Sequence, residues 1–321
     1  MNPKPVVLCP IDFSEACCGA LRYGAAIAEH FQSELVIATV NDPLLADAAS
    51  MTVGEGHLAH ETSRELERFY RHTFVDRPVP VPHPRFESLV GNPALEILAL
   101  AARRHADLIV MSSRGDSGVR KMFFGSTAER VLRETTVPVL VTPPDGIGPA
   151  HLGDIPKLIH RILVPLDLSA ASDGQARVAK AIAGALGVPI LLLHVVEPFR
   201  SNRPGLRTMP SISGERRGRA EEMLVSVVEG LSPWRGAESL VAFGEPSEEI
   251  AKIAHDRDAG LIVMGLHAST IRGGPRMGSV TYRVLCLARV PVLALPPLAT
   301  AGDTVFSDRR EVGTGVERTV G

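Results

Sequence analysis

The residues that could do chemistry come in pairs. Asp12 stands in Pro10-Ile-Asp-Phe-Ser14 and Asp167 in Pro165-Leu-Asp-Leu-Ser169. Gly125-Ser126 and Gly278-Ser279 each follow a loop that carries cations: Arg114, Arg120 and Lys121 in the first, Arg272 and Arg276 in the second. A glycine and a hydroxyl at a helix start form a ready anion site, because free N–H groups and the helix dipole both favour negative charge. A plainer reading stands beside this one. An aspartate after a strand can cap the next helix, Gly-Ser can be only an N-cap, and the arginines can be a solvated face.

Other candidates carry less. His57 and His60 could share a helix face, but no carboxylate or cysteine nearby completes a metal set. Cys17-Cys18 falls early in a helix and reads as core packing. Ser14 and Ser169 have no base at motif spacing, so no Ser-His-Asp or Cys-His nucleophile is apparent. Trp234 reads as packing.

The pairing of these residues reflects a duplication. Val7-Leu-Cys-Pro-Ile-Asp-Phe-Ser14 repeats as Ile162-Leu-Val-Pro-Leu-Asp-Leu-Ser169, an offset of 155. Val40 matches Val195 at the same offset. Leu108-Ile-Val-Met111 repeats as Leu261-Ile-Val-Met264, and Val137-Pro-Val-Leu140 as Val290-Pro-Val-Leu293, at an offset of 153. A repeat this long is a tandem domain duplication and not a solenoid.

Each copy alternates short apolar runs with amphipathic stretches. In the first, strands are expected at 5–10, 35–40, 85–90, 108–111 and 137–142, with helices after Ser14, over 61–74, from Asn92-Pro93 and from Gly125-Ser126 to about Arg133. In the second, strands fall at 161–165, 190–195, 237–243, 261–264 and 290–295, and helices at 172–186, 216–231, 246–257 and 279–288. Strands alternating with helices imply a doubly wound parallel sheet with helices on both faces. Domains are expected at 1–143 and 158–298, joined by a Pro- and Gly-rich linker at 144–157. The stretches 42–56 and 197–214 look loose, and 299–321 reads as a disordered tail. In such sheets ligands bind beyond the carboxyl ends of the strands. Asp12, Val40 and Met111, with Asp167, Val195 and Met264, all fall there.

Composition narrows the partners. The 321 residues carry 34 Lys plus Arg against 36 Asp plus Glu, which argues against coating nucleic acid or an anionic membrane. Aromatics are 4%, too few for base-stacking platforms. No apolar run approaches a membrane span of roughly 18 residues, and the first residues lack the apolar core of a signal peptide. Cys9, Cys17, Cys18 and Cys286 form no C-x-x-C pair, so a reducing cytoplasm is the expected compartment.

These residues resemble the universal stress protein family in its tandem form. The family's nucleotide-binding loop reads G-x2-G-x9-G-[ST]. The first copy has Ser112-Ser-Arg-Gly115, nine residues, then Gly125-Ser126; the second has Gly265-Leu-His-Ala268, nine residues, then Gly278-Ser279. The spacing holds twice, and each copy lacks one glycine. The Pro-x-Asp-x-Ser turn and the terminal Val-Pro-Val strand agree as well.

The resemblance implies two five-stranded, Rossmann-like sheets whose last strands pair antiparallel as an internal pseudo-dimer, with a homodimer of the chain as a further option. It implies an adenine nucleotide, ATP with or without Mg2+, near Asp12 and Asp167 and lined by Pro10, Pro165, Val40 and Val195. The phosphates and ribose would be wrapped by Met111, Ser112, Gly115, Gly125, Ser126 and Thr127 in copy one. In copy two, Met264, Gly265, Ala268, Gly278, Ser279 and Val280 would do so. Ala268 in place of glycine costs about 1–2 kcal/mol if that position is left-handed, which makes copy one the better site.

The expected function is a non-enzymatic, ATP-binding stress regulator, with slow hydrolysis left open. A nucleotide-free interaction or chaperone-like module with vestigial pockets is the alternative. Adenylyl transfer is third, since no Ser-Gly-Gly-x-Asp-Ser loop follows the first strand.

Overall fold

The computed structural model describes residues 4–53, 56–75, 83–113, 124–144, 148–149, 155–198, 210–231, 236–266 and 277–297. The first half runs β1 (Val6–Pro10), α1 (Glu15–His30), β2 (Glu34–Asn41), α2 (Pro43–Val53), α3 (His57–Thr73), β3 (Arg85–Val90), α4 (Pro93–Arg103), β4 (Leu108–Ser112), α5 (Ser126–Glu134) and β5 (Val139–Thr142). A short α6 (Ile155–Leu158) leads to the second half. That half runs β6 (Ile162–Pro165), α7 (Ser172–Leu186), β7 (Ile190–Val196), α8 (Pro210–Gly230), β8 (Ala237–Phe243), α9 (Pro246–Asp256), β9 (Leu261–Gly265), α10 (Ser279–Leu287) and β10 (Val292–Leu295).

The strands form one ten-stranded sheet in the order β3-β2-β1-β4-β5-β10-β9-β6-β7-β8. Every pairing within a half is parallel, and β5 with β10 is antiparallel, Leu140 opposite Leu293. The expected pairing of the two last strands is therefore observed. β1, β4, β5, β6 and β10 are buried along their whole length, as continuous apolar runs between two helical layers must be. One core, under α1 and α7, includes Val7, Ile27, Leu66, Val164 and Ile182; the other, under the opposite helices, includes Leu8, Ile97, Leu132, Leu163 and Val284. Both cores draw residues from the two halves, so the sheet has continuous apolar layers above and below.

Local chemistry explains the boundaries. Asn92 caps α4 by accepting from the Leu95 N–H, and Glu245 caps α9 by accepting from the Glu248 N–H. Pro93 and Pro246 follow at the position that needs no donor. Three expectations need correction. The stretch 42–56, expected to be loose, holds α2. Asp42 Oδ1 accepts from the Leu44 N–H at 2.7 Å, and the Leu- and Ala-rich run that follows contains no breaker before Gly54. The helix expected from 216 begins at Pro210, again with proline at the first turn. The 144–157 joint is not wholly a linker, because α6 starts inside it and Ile155 is fully buried. The rest of the expected loose stretch, 199–209, and the expected tail, 299–321, lie outside the described residues. Among the described residues no helix is long and apolar enough to cross a membrane.

Candidate functional site

β1 and β4 pair only at Val7–Leu108 and Leu8–Ile109. Beyond those pairs their carboxyl ends diverge, which opens a crevice where the strand order reverses. β6 and β9 do the same after Ile162–Leu261 and Leu163–Ile262.

After β1 the chain turns sharply through Phe13, whose φ is 61°; Leu168 in the second half has φ 59°. Bulky side chains rarely adopt this left-handed region, at a cost on the order of 1–3 kcal/mol. The turn brings the next residues back onto the aspartate. Asp12 Oδ1 accepts from the Ser14 N–H at 3.1 Å, the Ser14 hydroxyl at 2.6 Å and the Cys17 thiol at 3.0 Å. Asp167 Oδ1 accepts from the Ser169 N–H at 2.9 Å and the Ser172 hydroxyl at 3.1 Å. Ser14 thus occupies the N-cap of α1 with its hydroxyl turned to Asp12 and not to the helix backbone. Each aspartate anchors the strand-to-helix turn, as the plainer reading holds, and also lines a cavity.

The electrostatics follow from these bonds. Burial, then the charge of Asp12, push the Cys17 thiol up to about 12. The sulfur therefore stays protonated at neutral pH and donates. Burial also raises the Asp167 carboxyl, but the hydrogen bonds from Ser169 and Ser172 together outweigh it and hold the group below the ordinary carboxylate value. Asp167 is an ionised acceptor throughout the neutral range.

At the far side of each crevice a helix begins. The Gly125 N–H donates to Ser113 O and the Gly278 N–H to Leu266 O, both at 2.9 Å. Each glycine's own amide thus holds the helix start to the strand end. The first-turn amides without an intrahelical acceptor are those of Ser126, Thr127 and Ala128, and of Ser279, Val280 and Thr281. Gly125 (φ −63°, ψ 136°) and Gly278 (φ −60°, ψ 142°) have backbone that any residue adopts. Conformational freedom is therefore not what glycine supplies there.

Between aspartate and helix start lies a cavity of about 500 Å³ in the first half. Pro10, Asp12, Val40, Met111, Ser112, Gly125, Ser126 and Thr127 all line it. The corresponding cavity of the second half, about 390 Å³, is lined by Pro165, Asp167, Val195, Met264, Gly265, Gly278, Ser279 and Val280. The structure thus brings the expected site residues together in each half. Gly115, Ala268 and the cationic loops lie outside the described residues, and with them the strain argument for Ala268.

Sequence reading missed several residues at or beside these cavities. Cys17 and Ser172 occupy matched positions beside the aspartates. Leu45, from the unforeseen α2, and Asp42, just before it, line the first cavity. Arg216 lines the second and is held there by Glu197 O at 2.8 Å. Gln175 also lines the second, where the repeat puts Ala20 in the first half. Laying the two copies side by side past the Asp-x-Ser turn was the signal that could have found it.

The sequence profile described as the universal stress protein family matches residues 5–143 and again 159–296. A universal stress protein of Methanocaldococcus jannaschii is 32% identical over 143 residues, covering 43% of this chain and 81% of the relative. A universal stress protein of Mycolicibacterium smegmatis is 26% identical over 202 residues, 61% of this chain and 64% of the relative. The crystal structure of a universal stress protein from Archaeoglobus fulgidus aligns with 92% of this chain and 97% of its own, with a TM-score of 0.55 at 21% identity, so the two share a fold.

Proposed function

The chain belongs to the universal stress protein family, and on that premise we propose that it binds adenine nucleotide, ATP above all, at the carboxyl ends of the first, second and fourth strands of each half. We assign 1–143 and 158–298 as the two binding units. The observation that carries this reading is the opposition, across one cavity, of Asp12 to the open first turn of α5. A nucleotide has hydrogen-bond donors on base and sugar and an anion at the other end. An ionised acceptor opposite a helix N-terminus suits that polarity. Cavities of about 500 and 390 Å³ fall within the ordinary range for small-molecule sites. Mg2+ commonly takes one or two carboxylates plus phosphates, so it would arrive with the nucleotide and need no protein cage.

In this reading binding sets a conformation or a choice of partner instead of driving turnover. The four cysteines form no disulfide, which suits a reducing cytoplasm. The test is calorimetric titration of the full chain with ATP, with mass analysis of any small molecule released by denaturing the purified protein. Saturable binding supports the reading. A chain that releases no nucleotide and takes up none would instead favour an interaction module with vestigial pockets.

A further inference from the structure

Gln175 on α7 bridges the crevice of the second half. Its Nε2 donates to Pro165 O at 2.7 Å and to Val263 O at 3.0 Å, joining the ends of β6 and β9 where the ladder between them has stopped. Both amide hydrogens are thereby used. A carboxamide held in this way cannot flip without setting its oxygen against two carbonyl oxygens. Its Oε1 faces Gly265, where an added Cβ would stand 3.5 Å from it, and both residues line the cavity. The second cavity therefore has a fixed acceptor at its floor. The first has the methyl group of Ala20 at the matching place in the repeat.

The location of that acceptor says what it meets. Thr281 Oγ1 donates to Gly265 O at 2.9 Å, and the Gly278 N–H donates to Leu266 O. Gly265 is thus tied to the first turn of α10, the end of the cavity suited to an anion. In a nucleotide the group adjoining the phosphate is the sugar, and the donors of the sugar are its hydroxyls.

We infer that Gln175 accepts a hydrogen bond from a sugar hydroxyl and makes the second cavity select ribonucleotides over deoxyribonucleotides, a selection that the first cavity lacks at this place. The inference rests on the nucleotide reading above. One neutral hydrogen bond is worth about 3–10-fold in affinity.

The test uses the full chain with one site blocked at a time. Gly125→Glu leaves the second cavity, and Gly278→Glu leaves the first. Each is titrated with ATP, 2′-deoxy-ATP and 3′-deoxy-ATP. The second cavity should prefer ATP over at least one deoxynucleotide by about 3–10-fold more than the first does. Gln175→Met keeps the volume, removes the acceptor and should abolish that excess; a melting curve checks that the variant folds. If it does not fold, the comparison of the two cavities in the otherwise unaltered chain decides. Equal discrimination in both cavities, or discrimination kept by folded Gln175→Met, overturns the inference alone. Failure of the unaltered chain to bind ATP overturns the nucleotide reading, and this inference with it.

Discussion

At the carboxyl end of β1 the first half has Asp12, Cys17 and Ala20; at the matching places the second half has Asp167, Ser172 and Gln175. The backbone around them is the same twice. Phe13 and Leu168 share a left-handed turn, and Gly125 and Gly278 agree within a few degrees. The side chains on that backbone have diverged. Among the described residues, Asp12 and Asp42 line the first cavity with no cation, whereas Arg216 stands with Asp167 and Glu197 at the second. In the proposed reading main-chain amides would form the anion end, which would then tolerate sequence change. Side chains would form the sugar and base end, where the two copies can drift apart. A second divergence lies away from the site. Asp107 Oδ2 accepts from the Val6 N–H at 2.8 Å, but at the matching Gly260 the Leu158 carbonyl oxygen occupies the place of a Cβ. The chain entering the second half fills the space that a side chain fills in the first.

If the anion end is shared, one substitution should disable either half. Gly125→Glu and Gly278→Glu each put a carboxylate where the ligand's phosphate would lie. Like charges so placed cost several kcal/mol, a loss of about 100-fold or more. The backbone at both positions suits glutamate, and a carboxylate at a helix N-terminus stabilises the empty protein. The variants should therefore melt no lower than the parent while each loses one site in a titration. Unchanged ATP binding in the double variant would remove the phosphate assignment from both halves.

The Asp12→Ala and Asp167→Ala pair asks whether the two anchors are equivalent. Each aspartate holds its turn, so each change should cost about 0.5–2 kcal/mol, as loss of a cap does. Each should also weaken ATP in its own half by about 10-fold or more, as loss of a charge-assisted hydrogen bond does. Asp12→Asn keeps an acceptor for Ser14 and should recover most of the stability but not the affinity. A melting point that falls with ATP affinity untouched would leave the aspartate as an anchor alone.

The shared edge can be separated too. β5 is buried and pairs with β10 through three apolar residues, Val139, Leu140 and Val141. A chain of residues 1–143 leaves that edge unpaired, a template for another copy. It should sediment at twice its mass. A well-folded monomer at high concentration would show that β10 is not needed to cover β5.

Much of this was legible in the sequence because it was written twice. The repeat carried the parallel order, and Asp-x-Ser and Gly-Ser marked the two sides of each crevice. α2 was misread because turn formers at its ends, Asp42-Pro43 and Gly54 to Gly56, outweighed the Ala-rich middle. Gln175 was missed for another reason. Its importance lies in bridging carbonyls of β6 and β9, residues 10 and 88 positions away, which no local pattern records. The Phe13 and Leu168 conformations were equally hidden, since nothing in a phenylalanine or leucine announces a positive φ.

The smallest expected effect concerns acid. Asp167 is held below the ordinary carboxylate value of 3.8 when folded. Near that pH the unfolded chain binds more protons at this group than the folded chain does, so stability rises with pH through the window. The contribution is complete above about pH 4 and disappears as pH falls through the lower folded value. Asp167→Asn cannot ionise, yet its carbonyl oxygen can still accept from Ser169 and Ser172. Between pH 5 and pH 3 the parent should therefore lose more melting temperature than the variant. The group is half-buried and solvent screens it, so the difference should not exceed about 2 °C. Glu245, also held low, contributes to both proteins and cancels in the difference. Parallel acid limbs would mean that Ser169 and Ser172 do not stabilise the charge of Asp167 in the folded chain.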